Sequence, residues 1–164
     1  MPRWRPSTEK ELLAAIEDGL LRETHYLDMK RETGSSSGER KETARDLSSF
    51  AVDGGALLVG VEEDKENRTW RLRPQPLEGL AEKLEQIATQ LVDPPLFITA
   101  DEIPAEADAS TGYLFVQVPG SARAPHMVEG IYYGRGDRTR IRLSDAEVVR
   151  HHASREPLES LVTR

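Results

Sequence analysis

The stretch LSSFAVDGGALLVGVEED, residues 47–64, constrains this chain more than any other. It runs from a short apolar block through Gly54-Gly55 into a strand-forming run, Ala56 to Val61, and ends on Glu62, Glu63 and Asp64. Paired glycines ahead of an apolar strand let the backbone pass close to another segment. A run that is apolar on both faces belongs at the centre of a sheet, covered from both sides. Such a strand carries its three terminal carboxylates to one sheet edge. Together with Glu23, Asp28 and Lys30 upstream, these residue types suit phosphate chemistry or nucleic acid.

The flanking periodicities alternate between helix and strand. Thr8 and Glu11 form a Thr-x-x-Glu capping box, followed by Leu12, Leu13, Ile16 and Leu20 at helical spacing, with Gly19 as the stop. Over 25–31, Leu27 and Met29 alternate with Tyr26, Asp28 and Lys30, which predicts a half-buried strand with Asp28 and Lys30 on one polar face. GSSSG at 34–38 reads as a flexible loop, and 39–50 as a helix with Ala44, Leu47 and Phe50 as its stripe. Trp70 and Leu72 suggest an edge strand, and Leu80, Leu84, Ile87 and Leu91 a helix over 77–91. Paired strands follow at 97–103 and 113–118, then short strands at 131–133 and 141–143 around a 134–140 loop. A second box, Ser144 to Glu147, opens a closing helix to about His152. The expectation is one α+β domain over 8–152, a mixed central β-sheet flanked by helices, with a polar C-terminal tail at 153–164.

At 164 residues the chain suffices for one domain with a proper core. No apolar run approaches the ~20 residues that span a bilayer, and MPRWRPSTEKE lacks the apolar segment of a secretory signal. There is no cysteine, which excludes disulfides, thiolate zinc sites and cysteine nucleophiles and fits a cytoplasmic protein. The histidines have no zinc spacing, the serines no Gly-x-Ser-x-Gly elbow, and the glycine pairs no Lys-Ser/Thr of a P-loop. A formal charge of -7 opposes a generic nucleic-acid coat, but the local field decides binding. Arg135, Arg138, Arg140 and Arg142 crowd into 135–142, with Arg68, Arg71 and Arg73 as a smaller group. They read either as a phosphate-contacting strip or as solvated loops. Trp70, Tyr132 and Tyr133 read as base-stacking rings or as core and interface aromatics. Asp28-x-Lys30 reads as a metal-and-phosphate pair or as a surface ion pair worth about 0–1 kcal/mol.

Three blocks carry a family resemblance. Glu23-Thr-His-Tyr-Leu-Asp28-Met-Lys30 resembles the pattern E-S-x-x-x-E-F-K. The 47–63 segment resembles A-F-A-N-x-G-G-x-L-x-x-G-V-D-D. Pro125, Gly130-Ile-Tyr132-Tyr133-Gly-Arg135-Gly136, Leu143-Ser144 and Glu147 resemble a closing P…YY-x-R-x-G…L-S…E block. Together they resemble the Schlafen AlbA-like DNA-binding domain over roughly 8–152. Two positions depart: Asp28 stands where that family has glutamate, and Val52 where it has asparagine. The resemblance implies nucleic-acid binding to DNA or RNA, and the expected phosphate-contacting set is Lys30 with the clustered Arg135, Arg138, Arg140 and Arg142. It also implies the alternative of an endoribonuclease acting on transfer or ribosomal RNA. There Glu23, Asp28 and Glu63, with Glu62 and Asp64 as neighbouring options, would be catalytic and hold Mg²⁺ or Mn²⁺ beside Lys30. Such ions take hard oxygen ligands and activate water against phosphorus. A homodimer is expected, since two copies make a larger groove. A protein-interaction domain without nucleic-acid binding is the third reading.

Overall fold

The apolar run after the glycine pair becomes the inner strand of a five-stranded mixed sheet. The computed structural model describes residues 3–154. In chain order these form α1 (Glu9–Glu17), β1 (Leu27–Lys30), α2 (Ser37–Phe50), β2 (Gly55–Val59), β3 (Val61–Asp64), β4 (Thr69–Leu72), β5 (Gln75–Pro76), α3 (Leu80–Gln90), β6 (Thr99–Pro104), β7 (Thr111–Val118), β8 (Met127–Val128), β9 (Ile131–Arg135), β10 (Arg140–Arg142) and α4 (Asp145–Ala153). β1 pairs parallel with β2, in the register Asp28 to Leu57, with α2 as the crossover. β7 pairs antiparallel with β2 and with β6, and β5 adds to the start of β7. The molecule is a single α+β domain, as its alternating periodicities predict.

The pleat sorts the core into two layers. Leu57, Val59, Leu114, Val116 and Val118 pack on Ala44, Leu47 and Phe50 of α2 and on Leu84, Ile87 and Ala88 of α3. Ala56, Leu58, Tyr113 and Phe115 face the opposite way, onto Leu12 and Ala15 of α1. The glycine pair sits where α2 meets β2. Gly54 takes φ +81°, and a Cβ at Gly55 would collide with the Phe50 ring. The pair therefore sets the helix against the strand that follows it.

Several expectations needed correction. The strand does not run on through Val61, because Gly60 at φ +104° turns the chain and sends β3 into a hairpin with β4 outside the main sheet. The GSSSG segment is no free loop: Ser36 and Glu39 form a reciprocal capping box that starts α2 at Ser37. Leu20 is 72% exposed and Leu21 is buried instead, since the positive φ at Gly19 ends α1 and breaks its helical register. Tyr133 is buried under Arg140, Tyr132 packs edge-on against His152, and Trp70 lies half-buried on the second core layer. Of the apolar surface that motivated a homodimer, Tyr133 is covered by the chain itself, and Tyr132 and Trp70 are covered in part. The expected tail falls, apart from Ala153 and Ser154, outside the described residues. Among the described residues no helix is long and apolar enough to cross a membrane.

Candidate nucleic-acid interface

Three segments bring carboxyl groups together at one end of the β1–β2 pair. Glu23 precedes a tight turn closed by the Thr24–Leu27 bridge, Asp28 lies on β1, and Glu63 lies on β3. Gly60 holds β3 beside β1 through its amide, which donates to the Lys30 carbonyl at 2.7 Å. Glu23 is half-buried, and that burial is the main cause that pushes its carboxyl up to about 7. A hydrogen bond with Asp28 and the negative charges of Asp28 and Glu63 push the same way, and Arg135 opposes them. Below about pH 7 Glu23 therefore holds a proton that it can donate to Asp28. Asp28 also accepts from the Met29 amide at 3.0 Å and faces Arg135 at 3.5 Å.

The acids at this end of the sheet have different partners. Among the described residues no three His, Asp or Glu side chains are grouped so as to hold a metal ion. Glu23 and Asp28 are joined by a proton, and Glu63 reaches them only through its charge. The neighbouring acids are committed elsewhere. Glu62 pairs with Arg73 at 2.7 Å and Arg31 at 3.4 Å. Asp64 accepts from the Asn67 amide and side chain in the hairpin turn. Of the three acids that end the apolar run, only Glu63 reaches the cleft.

That cleft has a volume of about 590 Å³. Glu23, Glu63 and Asp137 line it, and so do four basic residues: Arg22, Lys65, Arg68 and Arg138. Trp70 and Thr69 complete one wall. Each element contributes for a local reason. Arg22 precedes Glu23 at the entrance to β1. Lys65 and Arg68 occupy the exposed turn of the β3–β4 hairpin, where Arg68 adopts φ +52°. Arg138 tops the β9–β10 loop. His25 secures that loop, with Nδ1 2.8 Å from the Gly136 carbonyl and Nε2 2.8 Å from the Asp53 carboxylate.

The arginine cluster at 135–142 is therefore divided among different tasks. Arg138 alone lines the cleft, and Arg142 is exposed on β10 outside it. The Arg135 side chain is 2% exposed and its guanidinium is turned inward, so it offers no phosphate contact. Arg140 is held between Glu42 at 2.9 Å and Asp46 at 2.7 Å on α2. Lys30 also turns away from the carboxylates, to Asp46 at 2.8 Å. The reason lies in the pleat: Asp28 and Lys30 share a face, but Lys30 sits one step along β1, opposite the buried Asp46 of α2. Sequence reasoning missed Arg22, Lys65 and Asp46. Arg22 and Lys65 directly flank Glu23 and the 62–64 acids in sequence, and that adjacency was the available signal.

The fold and cleft together define a small α+β domain with a mixed-charge, cation-rimmed recess at the end of its sheet. The chain belongs to the Schlafen, AlbA_2 family, whose model matches residues 23–144. No curated protein matches it significantly. Two solved structures share the fold. One is the DIP2311 protein from Corynebacterium diphtheriae, at TM-score 0.58 and 15% identity over 91% of this chain. The chain spans 29% of that protein's chain. The other is the N-terminal domain of a RecG-related protein from Nitrosomonas europaea, named for the ATP-dependent DNA helicases. It matches at TM-score 0.56 and 22% identity, over 82% of this chain and 89% of that domain. At such identities the likeness is one of fold.

Proposed function

We propose that this domain binds the phosphate backbone of nucleic acid in the cleft between the β3–β4 turn, the β9–β10 loop and the entrance to β1. One observation carries the reading: a chain of net charge -7 gathers Arg22, Lys65, Arg68 and Arg138 into a single recess. Such local clustering governs phosphate affinity whatever the overall charge. Four cationic side chains there face three carboxyl groups, Glu23, Glu63 and Asp137. Family membership and the fold shared with a helicase-related domain support the same reading. The cysteine-free sequence supports residence in a reducing compartment. The test is fluorescence anisotropy with labelled RNA and DNA oligonucleotides. Arg68→Ala with Arg138→Ala should weaken binding to every sequence alike, and unchanged affinity would overturn the proposal.

The Glu23–Asp28 pair favours a second reading, cleavage of an RNA phosphodiester by acid–base chemistry. A carboxyl poised near 7 is matched to proton transfer at neutral pH. Transfer RNA would then be cut with an inflection near pH 7, with chelator present, and Glu23→Gln would abolish the cut. Cleavage only with added Mn²⁺ or Mg²⁺ would instead support the metal-dependent mechanism that the family resemblance implies.

A further inference from the structure

Thr24 lines the phosphate cleft and also a second groove of about 600 Å³ on the far side of the Glu23–Tyr26 turn. On this side of the sheet α1 spans nine residues. The helix covers Tyr113 and Leu58 on the second face of the sheet but leaves the Gln117 end of β7 open. Trp4, Tyr26 and Phe115 line the opening, with Arg3, Arg5 and Gln117. Trp4 stands edge-on to Phe115 with ring centroids 6.0 Å apart, and Trp4 and Tyr26 remain 41% and 47% exposed. The Arg3 guanidinium lies 4.5 Å over the Tyr26 ring. Among the described residues Arg5 is held by one exposed ion pair, with Asp101 at 3.0 Å. Such a pair is worth little and is easily exchanged for another anion. Among the described residues the Gln117 amide has no hydrogen-bond partner.

We infer that this groove takes an unpaired nucleobase from the same strand whose phosphates occupy the cleft, so that the domain recognises single-stranded nucleic acid. The inference rests on the proposed backbone binding and adds strandedness to it. The chemistry selects a base. Exposed aromatic faces next to guanidinium planes stack on any base, and a free amide can read its edge. The two arginines at the mouth suit the attached phosphate. The volume lies within the roughly 300–1,000 Å³ typical of sites for small planar ligands. A base-paired duplex cannot present its stacked bases to such a recess. Thr24 borders both recesses, so one strand passing over this turn can reach each of them.

The chain has two tryptophans, and each recess holds one. Trp70→Phe leaves Trp4 as reporter of the groove, and Trp4→Phe leaves Trp70 as reporter of the cleft. The probe is a short oligothymidylate, compared with an abasic strand of equal length and with duplex DNA. Oligothymidylate should quench Trp4, while the abasic strand should perturb only Trp70. Tyr26→Ala should lower oligothymidylate affinity about tenfold, the loss expected of one stacked base, and leave abasic binding unchanged. Duplex DNA should leave Trp4 unquenched. If Trp70 responds to oligothymidylate and Trp4 does not, the groove assignment fails and the backbone cleft stands. Equal quenching of Trp4 by the abasic strand also overturns the groove. If no strand binds and neither tryptophan responds, both readings fall together. The central readout needs only Trp70→Phe, which keeps an aromatic ring against the second core layer.

Discussion

The guanidinium of Arg135 stands 3.5 Å from the Asp28 carboxylate, in a side chain only 2% exposed to solvent. Its Nη2 donates to the Thr24 carbonyl at 2.6 Å and to the Arg138 carbonyl at 2.9 Å, and the Phe50 ring lies 4.6 Å beneath. One buried cation thus ties the entrance of β1, the end of α2 and the β9–β10 loop into one body. It also acts on the electrostatics of the cleft, because its charge pulls down the Glu23 carboxyl that burial and Asp28 push up.

Arg135→Ala should therefore act on stability first. It leaves Asp28 without its cation and two carbonyls without a donor, a loss on the order of 3–5 kcal/mol for a broken buried pair. Arg135→Lys should recover little, since a point charge cannot reach all three acceptors of a planar fork. The urea midpoint checks this. A small shift with reduced nucleic-acid affinity would return Arg135 to the phosphate-binding set.

Glu23 makes stability depend on pH in a defined direction. Its carboxyl is raised from 4.5 to about 7 in the folded chain. The stability it contributes is complete below about pH 4.5 and is lost as pH rises through 7. Because Glu23 is only half-buried, the loss is discounted to about 1 kcal/mol. Glu42 and Glu62, held below the ordinary carboxylate range chiefly by hydrogen bonds from Arg140 and Arg73, act in the opposite sense. The difference between wild type and Glu23→Gln isolates the one group. The variant should gain on the wild type between pH 5 and 8, by about 1 kcal/mol in chemical denaturation. A pH-independent difference would contradict the shared proton.

The fold was more legible in the sequence than the site, for a physical reason. Apolar periodicity is local, so α1, α2, α3, β2 and β7 could be read from spacing alone. Turn chemistry was legible where it used standard boxes, as at Ser144, and overlooked where the box lay inside a serine run, as at Ser36. Charges are different, because the partner of a charge lies far away in sequence. Arg140 meets Glu42 and Asp46 across more than 90 positions. Nothing in the spacing of 135–142 tells the inward Arg135 from the outward Arg138. Motif order, rather than spacing, singles out Glu23, Asp28 and Glu63 in the sequence; in the fold Glu23 and Asp28 share a hydrogen bond and feel the Glu63 charge, while Glu62 and Asp64 turn to arginine and asparagine partners.

The cleft cations make a quantitative claim about salt. Each phosphate contact contributes about -0.7 to -0.9 to the slope of log K against log salt concentration. Lys65→Ala, Arg68→Ala and Arg138→Ala should each flatten the slope by about that amount. Arg140→Ala should leave it unchanged, because its guanidinium is already neutralised by Glu42 and Asp46. Equal effects from Arg140 and Arg138 would show that the strip, not the cleft, carries the phosphates.

Lys30 supplies the sharpest contrast between a motif residue's place in sequence and its work in the fold. Its ammonium sits 2.8 Å from Asp46, which is 5% exposed and also bound by Arg140. Burial is the first influence on Asp46 and raises its carboxyl above the usual range, although Lys30 and Arg140 both pull it down. Remove Lys30 and burial faces one cation instead of two. Lys30→Met should cost about 2–3 kcal/mol, less than a fully broken buried pair because Arg140 remains. The sign with pH follows from the raised carboxyl: stability is complete below its unfolded value and falls as pH rises through the folded one. Without Lys30 that value climbs further, so the deficit of Lys30→Met should grow from pH 5 to pH 8. Asp46→Asn in the same background should remove the growth. Nucleic-acid affinity and its salt slope should match wild type in the folded variant. A Lys30→Met protein of unchanged stability that binds more weakly would place this lysine on phosphate after all.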